Sequence, residues 1–132
     1  MPHPKRAALA SVAALSLLLG ACSSSSSGGD STQPTTGAID LTVKALDPGG
    51  KYSFDAKEYT AKAGTVNVAL VDDGKENHNL LVTTISKSKF KLSVTPGTTK
   101  AGAVTLAAGT YTLYCDIAGH RDGGMEAKLV VS

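Results

Sequence analysis

The chain has 132 residues, with 13 Lys and Arg against 11 Asp and Glu and a formal charge of +2. Two of those cations, Lys5 and Arg6, stand at the extreme N-terminus. Without them the count is 11 against 11, so no basic excess remains to recruit nucleic acid. After Lys5 and Arg6 comes an apolar run of 13 residues, Ala7 to Leu19, too short to span a bilayer but the length of a signal-peptide core. Ser23 to Ser27, Gly28, Gly29 and Asp30 to Gly37 are small, polar and turn-prone, which predicts a flexible tether. The remaining 95 residues, 38–132, suffice for one modest core.

Within that domain the pattern is one of short strands. Ile39, Leu41, Val43 and Ala45 alternate with polar neighbours, as a half-buried strand requires, and Asp47-Pro48-Gly49-Gly50 ends it in a turn. Tyr52, Phe54 and Ala56 form a second alternation. Val66, Val68 and Leu70 form a third, ending at Asp72-Asp73-Gly74. His78 to Ile85 is β-rich. Lys87 to Val94 places Lys87, Lys89 and Lys91 on one face and Phe90, Leu92 and Val94 on the other, until Pro96-Gly97 breaks it. Val104 and Leu106, then Tyr111 to Cys115, then Ala127 to Val131 complete the series. No helical period and no repeat intervenes. Many short strands at near-regular spacing predict an all-β, Greek-key antiparallel β-sandwich.

The soft donors are few and clustered. Beyond residue 22 the chain has one Cys, one Met and two His, and three of these four follow one another at five-residue spacing: Cys115, His120, Met125. The fourth, His78, opens the segment His78-Asn79-Leu80-Leu81-Val82. Each has a bland reading: a surface His, a Cys acting as a small hydrophobe, a Met plugging a gap. Four such coincidences at once are harder to accept. Two imidazoles, one thiolate and a weak axial thioether are the donor inventory of a blue-copper electron-transfer site. A lone thiol in an exported domain also needs burial or a metal.

Two resemblances sharpen this. Leu19-Gly20-Ala21-Cys22 resembles the lipobox of bacterial lipoproteins. It implies a signal peptide over 1–21, cleavage after Ala21, a diacylglyceryl group on Cys22 and a lipidated tether over 22–37. The domain over 38–132 would then be exported and held at the membrane on its extracytoplasmic, periplasmic side. A Cys22–Cys115 disulfide is the alternative, disfavoured because a Ser/Gly tether has no reason to dock there.

The second resemblance lies at the C-terminus. Gly109-x-Tyr111-x-x-Tyr114-Cys115, then Gly119-His120, then Gly124-Met125 and a last apolar strand resemble a plastocyanin-type cupredoxin, and His78-Asn79 is similar to that family's His-Asn motif. The resemblance implies one type 1 copper held by His78, Cys115 and His120 in the equator and Met125 on the axis. Asn79 would tie its strand to the loop after Cys115. Tyr111 would pack at the strand entrance, and Tyr114 would be an exposed aromatic on one electron route. His120 would present its ring edge at an apolar surface as the electron port, with Ile117 and Ala118 beside it. There are departures. Ala118 stands where many relatives place Pro, and Asp116 follows the Cys where a hydroxyl residue is familiar, close enough to alter hydrogen bonding at sulfur.

The function so implied is a membrane-anchored, monomeric one-electron carrier cycling Cu(II) and Cu(I) between transient partners such as a cytochrome, oxidase or reductase. The alternative is a copper-holding or delivery protein using the same ligands, ranked lower because no Met-rich or His-rich tract is present. An enzyme is not expected, since four protein donors leave no position open for substrate. Asp72, Asp73 and Glu76, or Lys87, Lys89 and Lys91, are candidate docking patches, although a solvated face is the simpler reading of each.

Overall fold

The computed structural model describes residues 37–132; the expected signal peptide, Cys22 and the tether up to Thr36 lie outside the described residues. Among the described residues nine strands form: β1 (Leu41–Leu46), β2 (Ser53–Phe54), β3 (Glu58–Ala61), β4 (Gly64–Asp72), β5 (His78–Val82), β6 (Leu92–Val94), β7 (Thr99–Leu106), β8 (Gly109–Tyr114) and β9 (Glu126–Val131). They build two facing sheets, one ordered β2-β1-β4-β7 and the other β3-β9-β8-β5-β6. The all-β sandwich is therefore present, and its core is made by the inward residues of the alternations. Leu41, Val43 and Ala45 of β1, Val66, Val68 and Leu70 of β4 and Ala127, Leu129 and Val131 of β9 are all buried in one cluster.

The sheets are mixed rather than wholly antiparallel. β1 runs parallel to β4, with Leu41 opposite Val68, and β3 runs parallel to β9, with Tyr59 opposite Leu129. The chain moves from the first sheet to the second between β2 and β3, then returns for β4. A strand that arrives from the opposite sheet is free to lie parallel to its neighbour, whereas a hairpin partner is not.

Two sequence expectations need correction, and one strand appears where none was expected. The run Lys87 to Val94 is a strand only over Leu92–Val94. Before it the chain turns, with the Ser86 carbonyl accepting from the Lys89 and Phe90 N–H groups, so the lysines are not one strand face. Phe90 is nevertheless fully buried, because the turn inserts it into the sandwich. Ile39 lies outside the first strand and is exposed. Finally, β3 has no alternation long enough to announce it. One inward residue, Tyr59, carries it, together with pairing to β9 and an ion pair between Glu58 and Lys128.

Tyr59 donates its hydroxyl proton to Asp55 Oδ1 at 2.6 Å and accepts from the Ala56 N–H at 3.2 Å. Burial, then the bond to Asp55, push its ionisation well above the usual tyrosine range. The unfolded chain releases this proton near pH 10, while the folded chain keeps it, so stability falls as pH rises past about 10. Tyr59→Phe is expected to cost about 1 kcal/mol at neutral pH. Urea midpoints measured between neutral and alkaline pH should show the gap to wild type narrowing above pH 10.

Candidate metal centre

The site forms where β5 and β8 part. Leu81 and Val82 of β5 pair with Tyr114 and Leu113 of β8, but one step further His78, Asn79 and Leu80 pair with β6 instead. At that fork Asn79 replaces the missing ladder. Its N–H donates to Cys115 Sγ at 3.3 Å, and its side-chain amide donates to Asp116 Oδ1 at 2.7 Å. His78, at the start of β5, and Cys115, one residue past the end of β8, are thereby brought together, both fully buried.

The loop from Cys115 to Met125 brings the other two donors. The Cys115 N–H donates to the Met125 carbonyl and the Met125 N–H donates to the His120 carbonyl, which closes the loop on itself. A turn through residues 119–124, with the Gly123 N–H donating to the Gly119 carbonyl at 2.9 Å, sends the His120 ring inward. His120 Nδ1 stands 3.7 Å from Cys115 Sγ. The donor atoms of His78, Cys115 and His120 all lie within 4.8 Å of one another, and Met125 is fully buried at the end of the loop.

A residue that sequence reasoning treated only as a turn orients His78. Asp47 accepts from the backbone N–H groups of Lys75 (2.7 Å) and Glu76 (2.8 Å) and faces His78 Nε2 at 3.2 Å. The Lys75 N–H, then those of Glu76 and His78 against the opposing pull of burial, hold its carboxyl below the usual range, so it is an acceptor and Nε2 carries the proton. His78 Nδ1 is left buried with no hydrogen-bond partner. Asp47 approaches so closely that a Cβ on Gly74 would stand 2.6 Å from its Oδ2, which only glycine permits. No local pattern flags Asp47, which is 31 residues from His78.

The other charged groups follow simple electrostatics. Burial pushes the Cys115 thiol up, against the N–H groups of Ile117 and Asn79. Burial, then the neighbouring His78, push His120 down, which favours its neutral imidazole. Asp116 is partly buried, yet hydrogen bonds from Lys87, Asn79 and Lys91 overcome that burial and hold it down to about 2. Lys87 and Lys91 are thus drawn onto one carboxylate. Asp72 also departs from its expected place, because it is buried and accepts from the Gly74 N–H rather than joining a surface patch. Tyr111 donates to the Ala107 carbonyl, and the Tyr114 ring lies 4.6 Å beneath the Arg121 guanidinium. His120, expected at the surface, is only 4% exposed.

Comparison with known proteins agrees with this geometry. A family described as the sulfocyanin (SoxE) domain matches residues 59–132, more than half of the chain. The chain belongs to the sulfocyanin domain family. The plastocyanin-like cupredoxin resemblance of its two motifs therefore holds at the level of family and fold. Among solved structures, this sulfocyanin domain resembles a dithionite-reduced auracyanin from the photosynthetic bacterium Roseiflexus castenholzii, with 20% identity and TM-score 0.60, over 73% of this chain and 99% of that one. It also resembles auracyanin B, with 16% identity and TM-score 0.54, over 79% and 96%. A copper nitrite reductase from Nitrosomonas europaea matches with 20% identity and TM-score 0.57, over 71% of this chain but 41% of its own. At these identities the likeness is one of fold. No curated protein matches the sequence.

The residues present fit a type 1 copper. An orphaned buried imidazole nitrogen needs a partner, and a thiol and a second neutral imidazole face the same space. Each histidine points its other nitrogen outward to a carboxylate, His78 to Asp47 at 3.2 Å and His120 to Glu76 at 3.8 Å. Asp47→Ala is expected to lower copper affinity by about 10- to 100-fold, with Asp47→Asn intermediate. Competition against a chelator of known affinity reads this directly.

Proposed function

We propose that this sulfocyanin domain is a blue-copper electron carrier in which His78, Cys115 and His120 are the equatorial ligands and Met125 the axial one. The observation that carries the reading is the buried convergence of three donor atoms within 4.8 Å, one of them a histidine nitrogen with no other partner. Copper bound to such a set supplies one-electron chemistry with little change of geometry between oxidation states. The residues of the chain do the rest. Asp47 fixes the His78 ring, the Asn79 N–H steadies the sulfur, and the closed loop sets Met125 against His120. Burial of all four side chains keeps water from the metal.

A carrier rather than an enzyme follows from four protein donors that leave no place for substrate. Copper delivery is the weaker reading. Exchange requires an accessible donor, and here each is buried and tied into the scaffold. The partners we infer are redox proteins that meet it briefly through a small contact. We infer further that Cys22 carries the lipid and residues 23–37 the slack that lets an extracytoplasmic domain leave the membrane surface. We infer that it acts as a monomer.

The full chain, stripped of metal and titrated with Cu(II), is expected to develop an intense thiolate-to-copper absorption at one equivalent. Reductant should bleach it, and Cys115→Ser should lack it. Colourless binding would remove the electron-transfer reading. Separately, Cys22→Ser is expected to move the chain from the membrane to the soluble fraction and to abolish incorporation of labelled fatty acid.

A further inference from the structure

The imidazole of His120 is roofed. The Tyr52 ring stacks on it with centroids 3.8 Å apart and planes within 10°. Tyr52 is held there in two ways. Its hydroxyl donates to Glu76 Oε2 at 3.2 Å, and that same oxygen lies 3.8 Å from His120 Nε2. The ligand loop also fits against it, since a Cβ on Gly123 would meet Tyr52 Cδ2 at 2.9 Å. Tyr52 comes from the segment before β2 and Glu76 from the loop before β5, so neither belongs to the loop that carries His120. Two other segments therefore meet the His120 ring, and His120 is buried.

We propose that Tyr52, tethered by Glu76, is a positioning residue that clamps His120 in its ligand orientation. This rests on His120 being a ligand, as argued above. The physical basis is simple. A ligand on a glycine-rich loop keeps its orientation only if something restricts its rotation. A coplanar aromatic ring bound to a second segment provides that restriction at the cost of two side-chain torsions. The stack also excludes water from the outer face of the imidazole without displacing the inward nitrogen.

The test has two readouts. In the metal-free full chain, diethyl pyrocarbonate followed by peptide mass spectrometry reads the access of reagent to His120, with the fully buried His78 as internal control. In the copper-loaded chain, transfer of copper to excess chelator reads how firmly the ligand is held. Tyr52→Ala is expected to raise both the modification rate of His120 and the rate of copper loss by roughly two- to tenfold, the range an aromatic stack contributes. Tyr52→Phe keeps the stack and should restore most of the protection. Glu76→Ala changes an exposed side chain, leaves the fold intact and should give a smaller increase in the same direction, which keeps the test open if Tyr52→Ala does not fold. Unchanged His120 modification and copper loss in Tyr52→Ala, or in Glu76→Ala should the former not fold, would overturn the clamp. Absence of the blue absorption in wild type would instead overturn the ligand assignment, while the modification rates of the metal-free chain would still decide whether Tyr52 covers His120.

Discussion

The fork between β5 and β8 is the constraint on which the rest of the molecule depends. Two neighbouring strands that stayed paired would bury backbone hydrogen bonds and leave no pocket. Two that separated freely would leave polar groups unmet in the core, which proteins avoid. Here the ladder ends at Leu81 and Tyr114, and Asn79 takes over with its N–H on the Cys115 sulfur and its amide on Asp116. The gap therefore has a fixed width set by one side chain. Lys87 and Lys91 then neutralise Asp116 from the far side, so the carboxylate can sit beside the thiol without an unpaired charge. Sandwich packing holds the two strands, and the fork turns that rigidity into a buried meeting point of sulfur and imidazole.

Electrostatics within the pocket follow from the same economy. Two of the inward-facing groups are uncharged at neutral pH in the metal-free protein: burial keeps the Cys115 thiol protonated and favours the neutral His120 imidazole. The charges stand one layer out, at Asp47, Glu76 and Asp116, each bonded to a donor. A site organised in this way keeps its carboxylates off the metal and uses them to orient the groups that face it.

What the sequence disclosed and what it hid divide along a physical line. The sandwich was legible because period-two alternation records burial directly, as in Leu41, Val43 and Ala45. The donors were legible because the domain has so few soft side chains and spaces three of them evenly along one loop. Contacts between distant segments were not. Asp47 reads locally as a turn residue and Tyr52 as part of a strand, and only folding brings the first to His78 and the second onto His120. Lys87 to Val94 misled because a turn that buries Phe90 imitates the alternation of a strand. Asp72 misled in the opposite way, since an acidic residue beside a turn reads as surface yet here caps that turn from inside. The parallel pairings of β1 with β4 and of β3 with β9 arise from the path of the chain between sheets, which no local pattern encodes.

The most direct measurement is X-ray absorption at the copper edge on the loaded full chain, in both oxidation states. The account predicts one short copper–sulfur shell and two imidazole shells, nearly unchanged on reduction, because the scaffold fixes the donors before the metal arrives. A first shell of nitrogen and oxygen without the short sulfur, or one that rearranges when the copper is reduced, would contradict it.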